Sequence, residues 1–85
     1  MYRLLIVDDE EIITDSLYDV FCSLLPDELD VCKAYSGTEA IEWMSRTRID
    51  IVLTDISMPG LNGLELIERI QGYWPRCKVI FFNGT

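Results

Sequence analysis

The apolar positions of this chain change their spacing at regular intervals. Leu4, Leu5, Ile6 and Val7 form an unbroken run, whereas Ile13, Leu17, Val20, Phe21 and Leu24 recur at steps of three and four. The first spacing fits a strand covered on both faces and the second an amphipathic helix. Pro26, which has no N–H to donate, closes that helix. Val31 to Tyr35 then reads as a strand over 30–35. Ser36-Gly37-Thr38-Glu39 is a capping box, in which the serine oxygen accepts from the Glu39 N–H, and it opens a helix running to about Thr47. A strand from Asp50 to Asp55 follows. Beyond a loop containing Pro59-Gly60, Asn62 with Glu65 three residues on caps a third helix carrying Leu66, Ile67, Ile70 and Trp74, ended by Gly72 and Pro75. A fourth strand is expected over 78–82.

Strands alternating with helices imply parallel β/α units joined by right-handed crossovers, hence an α/β, doubly wound sheet. The strands at 3–8, 50–55 and 78–82 are continuously apolar, while 30–35 carries Lys33 and reads as an edge. The strand order is then 2-1-3-4. The first helix covers one face, and the second and third share the other. The order reverses between the first and third strands, the crevice where such sheets bind ligands, and that is where Asp8, Asp9 and Asp55 converge. Residues 78–82 look like an interior strand, yet only three residues follow them. Their flank is expected to be covered by further sequence, by a partner chain, or to self-associate, leaving the isolated chain unstable or oligomeric.

With 85 residues the chain is one domain. No apolar run approaches the roughly 18 residues of a membrane span, and the N-terminus lacks a secretory pattern, so a cytoplasmic location is expected. Seven Lys and Arg against 15 Asp and Glu give a net charge of −8, which argues against direct binding of nucleic acid or anionic membranes. Cys22, Cys32 and Cys77 are too widely spaced for a zinc site or disulfide framework, and they read as small core residues. Histidine is absent, removing Ser-His and Cys-His nucleophile pairs. Any metal here must be a hard, oxygen-preferring cation.

Each chemical candidate also has a plain structural reading. Asp8 and Asp9 could charge and cap the first turn of a helix, and Asp55 could be a turn residue. Pro59-Gly60 alone is a turn, and Gly63 serves helix entry. The hydroxyls of Thr54 and Ser57 read as solvated or turn-bonded. Tyr18, Trp43, Tyr73 and Trp74 read as packing residues, and Cys77 as inert.

Leu5-Ile6-Val7-Asp8-Asp9-Glu10, the segment Asp55-Ile56-Ser57-Met58-Pro59-Gly60-Leu61-Asn62-Gly63 and the spacing between them resemble the receiver domain of two-component response regulators. The resemblance implies a five-stranded flavodoxin-like sheet, of which 1–85 matches the first four strands and three helices, incomplete at the C-terminus without the last helix, strand and helix. It implies that Asp55 accepts a phosphoryl group from the phosphohistidine of a histidine kinase or phosphotransfer protein. By the same resemblance Asp9 is a direct Mg²⁺ ligand, Asp8 a ligand through water, and the Ser57 carbonyl a backbone ligand. The chain would be a phosphoacceptor rather than an enzyme, controlling a C-terminal output domain that regulates transcription.

Two departures are visible. The family's switch hydroxyl falls on Asn83, with Thr85 two residues further on as the only substitute, and the family lysine ending the fifth strand has no counterpart. Phosphate charge would lack that cation, so switching is expected to be impaired. Two other classes compete. A Mg²⁺ phosphatase with Asp8 as nucleophile would need a second acid two residues on, where Glu10 stands, and a downstream lysine. A non-phosphorylated interaction module would use the exposed fourth strand.

Overall fold

The computed structural model describes residues 1–58, 60 and 62–82, so Asn83 and Thr85, the expected switch positions, lie outside the described residues. The elements are β1 (Tyr2–Val7), α1 (Glu11–Leu24), β2 (Leu29–Ala34), α2 (Gly37–Arg46), β3 (Ile51–Asp55), α3 (Gly63–Tyr73) and β4 (Lys78–Phe82). All pairings are parallel, in the order β2-β1-β3-β4. Leu4 lies opposite Val31 on one side and Ile51 on the other, and Val7 opposite Ala34 and Thr54.

The two-residue period of β1 divides the core into two layers. Leu5 and Val7 face α2 and α3, packing with Val52, Ala40, Met44, Leu66 and Ile70. Leu4 and Ile6 face α1, where Leu17, Tyr18 and Phe21 meet Val31. The layers differ in depth. α2 and α3 bury Ala40, Met44, Leu66 and Ile70, whereas Thr14 is the residue of α1 that is fully buried. Val20 and Leu24, expected on the core stripe of α1, are exposed, since this helix packs mainly on β2 and β1.

Local signals at the helix ends hold where a side chain can reach a free amide. Ser36 Oγ accepts from the Glu39 N–H at 3.1 Å, and Asn62 Oδ1 accepts from the Glu65 N–H at 3.0 Å. α1 starts differently. Its N-cap is Glu10, which makes no side-chain cap bond, so Asp9 does not cap the helix. Gly72 lies inside α3, and Trp74 rather than Gly72 is the C-cap, its N–H returning to the Ile70 carbonyl.

The sheet margins are also unlike one another. Along β2, Trp43 Nε1 donates to the Lys33 carbonyl at 3.1 Å, while Lys33 Nζ pairs with Asp15 at 3.0 Å and lies over the Tyr18 ring. Trp43 thus does more than pack: it occupies an acceptor on the edge strand. β4 has two half-buried residues, Val79 and Phe82, and leaves Ile80 51% and Phe81 58% exposed. The expectation that β4 is covered on both faces therefore fails among the described residues.

Candidate functional site

β1 and β3 are adjacent and parallel, so the acids that end them are brought to one rim. Asp8, Asp9 and Asp55 each offer a carboxylate oxygen, and the three oxygens lie within 4.8 Å of one another. Asp8 is fully buried, Asp55 nearly so, and Asp9 exposed. Of the residues singled out from sequence, these three are the ones the fold assembles into a cluster.

Each buried carboxylate is aimed by its own backbone. Asp8 Oδ1 accepts from the Glu10 N–H at 2.9 Å and Asp55 Oδ1 from the Ser57 N–H at 2.9 Å. Both bonds span two residues and fold the chain into Asx-type turns. Ser57 is exposed. The Thr54 hydroxyl is buried and donates to the Asp55 carbonyl at 3.0 Å, so it is a positioning bond rather than a solvated group.

Two further residues shape this rim. Thr14, one turn into α1, donates its hydroxyl to the Asp8 carbonyl at 2.7 Å and holds the strand end against the helix. Its signal was present in the sequence as a polar residue falling on the stripe of Leu17, Tyr18 and Phe21. Gly63, the first residue of α3, presses directly on the end of β3. A Cβ there would overlap the Asp55 carbonyl oxygen and the Ile56 Cα. Gly63 is thus more than a helix-entry residue, because no side chain fits.

The electrostatics are unbalanced. Burial raises the Asp8 carboxyl above its ordinary range, the Glu10 N–H opposes that shift, and the negative charges of Asp55 and Asp9 raise it further. Asp8 Oδ2 is also the one buried side-chain oxygen or nitrogen among the described residues with no hydrogen-bond partner. A buried acceptor left unpaired costs about 1–3 kcal/mol. Three carboxylates with an orphaned oxygen suit a hard divalent cation. Mg²⁺ takes oxygen donors and keeps several of its waters, so oxygens within 4.8 Å of one another could hold it partly directly and partly through water.

The sequence profile of the response regulator receiver domain matches residues 4–85. The chain belongs to that family. Receiver domains accept a phosphoryl group on an aspartate, and the match covers nearly the whole chain. Among curated relatives, the transcriptional regulatory protein YesN of Bacillus subtilis is 36% identical over 84 residues, 99% of this chain but 23% of YesN. A protein-glutamate methylesterase/protein-glutamine glutaminase of Pyrococcus abyssi is 39% identical over 74 residues, 86% of this chain and 20% of that protein. A solved two-component transcriptional regulator AraC from Clostridium phytofermentans superposes with a TM-score of 0.84 at 34% identity, covering 100% of this chain and 68% of that one. The receiver thus spans less than a quarter of these two curated relatives. No helix among the described residues is long and apolar enough to cross a membrane.

Proposed function

We propose that this receiver accepts a phosphoryl group on Asp55 from a histidine kinase or phosphotransfer protein, with Mg²⁺ held by Asp8, Asp9, Asp55 and the Ser57 carbonyl. The orphaned, buried Asp8 Oδ2 inside a three-carboxylate cluster is the observation that carries this reading. Bound Mg²⁺ would supply charge neutralisation, offsetting the repulsion between an incoming phosphoryl group and the acids. The chain supplies the rest. The Ser57 N–H on Asp55 Oδ1 fixes the carboxylate and leaves Oδ2 as the attacking oxygen, which forms the acyl phosphate as the donor's nitrogen leaves. Thr54 and Gly63 hold the carbonyl side of the same residue.

The domain acts as a phosphoacceptor rather than as a turnover enzyme, and in the cytoplasm, where its kinase partner and nucleotide are found. Its output is transcriptional control through an appended domain. The similarity to YesN and to the Clostridium regulator supports that output, while the methylesterase relative carries an enzymatic name with a similar receiver. The switch role assigned to Asn83 or Thr85 is part of the same reading.

Acetyl phosphate with Mg²⁺ should add one phosphoryl group to the chain, detected by intact mass, and Asp55→Asn should abolish the addition. Borohydride trapping at Asp8 instead of Asp55 would overturn the assignment in favour of a phosphatase-like site. A second reading, a non-phosphorylated module pairing through residues 78–82, is favoured by the exposure of Ile80 and Phe81. It requires self-association that persists in Asp55→Asn and depends on these two side chains.

A further inference from the structure

The cations of this acidic chain are not scattered. Arg3, Arg46, Arg48, Arg76 and Lys78, five of its seven, lie at the starts of strands, in the connections leading into them or, for Arg46, at the end of α2. That end of the sheet is opposite the aspartates, separated from Asp55 by the length of β3, roughly 16 Å for five residues. Arg3 is engaged with Asp30 at 2.9 Å, and Arg48 with Asp50 at 3.3 Å. Arg46 and Arg76 have no ion pair among the described residues.

Between the end of α2 and the α3–β4 connection is an open groove of about 580 Å³. The half-buried Trp74 provides its accessible apolar surface over a floor formed by the buried Met44 and Ile49, and Arg46, Arg48 and Arg76 provide its cations. Two features add negative charge: the Asp50 carboxylate and the C-terminal ends of α2 and α3, each about half a unit. Three guanidiniums exceed that total. The neighbouring Cys77 thiol, its pKa pushed up to about 11 by burial, stays neutral and does not weaken the field.

We propose that this groove binds a small anion carried on an apolar body, such as an aromatic phosphate, with Arg46 and Arg76 taking the charged group and Trp74, over the Met44 and Ile49 floor, the apolar one. Free guanidiniums are well suited to such oxyanions because their planar donors match the acceptor geometry. The site is independent of the aspartate cluster and of the function proposed for it.

The test is an amide chemical-shift titration with phenyl phosphate in EDTA, which leaves the aspartates without metal and repulsive to the probe. Saturable shifts should fall on residues 45–50 and 74–77, with quenching of Trp74 fluorescence. Arg46→Gln with Arg76→Gln should weaken phenyl phosphate at least tenfold without changing the affinity for neutral benzyl alcohol, while the paired Lys substitutions, which keep the charge but lose the planar fork, should fall between wild type and the Gln variant. Asp8→Asn should have no effect. The proposal is overturned by no saturable shift at millimolar probe, by shifts centred on the aspartate rim, or by equal binding of phenyl phosphate to the Gln variant.

Discussion

Replacing Asp8 by Asn should make the metal-free receiver more stable while removing its response to Mg²⁺. Asn keeps the acceptor for the Glu10 N–H and replaces the orphaned oxygen with an amide that can donate toward Asp55. Two unit charges 4.8 Å apart repel by about 3.5 kcal/mol at an effective dielectric of 20 and by less than about 1 kcal/mol in water. Asp8 is buried but Asp9 is exposed, so screening places the net gain between these limits, at about 1–3 kcal/mol near neutral pH. In a domain of this size each kcal/mol raises Tm by roughly 4–8 °C. The pH dependence follows from the raised Asp8 carboxyl. Between the unfolded value of 3.8 and the higher folded value, the native state binds the proton more tightly, so wild-type stability falls as pH rises through that window. The advantage of the variant should therefore be absent below that window and complete above it. Thermal melts of both proteins in EDTA across acid to neutral pH, repeated with excess Mg²⁺, check this. A variant no more stable than wild type at neutral pH without metal refutes the reasoning, as does an undiminished Mg²⁺-dependent rise in Tm.

Gly63→Ala should cost on the order of 3 kcal/mol, because the added carbon meets backbone on both sides and neither can yield alone; a denaturant midpoint within error of wild type would contradict the close approach. Thr14→Val should cost about 1–2 kcal/mol and weaken metal binding by loosening Asp8, readable together in urea melts and Mg²⁺ titrations. Ser36→Ala should cost about 1 kcal/mol through loss of the α2 cap, with no change in Mg²⁺ affinity. Cys77, with its pKa pushed to about 11 against an ordinary 9.0, should be alkylated by iodoacetamide at pH 8 about a hundredfold more slowly than an exposed thiol, a difference peptide mapping would detect.

The elements and their order were legible because each depends on short-range chemistry. A single lysine in the second strand was enough to place β2 at the margin, and from that the meeting of Asp8 and Asp55 followed. What could not be read depends on distance between elements. Val20 and Leu24 keep a helical period but stay exposed on a helix that packs mainly on β2 and β1. Asp9 has the right type and position for a cap, yet Glu10 takes that place and the amide bond goes to Asp8. Gly63 looked like a helix start because sequence carries no record of how closely α3 approaches the end of β3.

The bond from Trp43 to the Lys33 carbonyl gives the sheet a direction of growth. One flank is plugged by an indole and a salt-bridged lysine, and the other, β4, presents two large apolar side chains. Among the described residues the β2 flank is thus closed, and any strand added to the sheet, from this protein's own further sequence or from a second copy, is directed to β4.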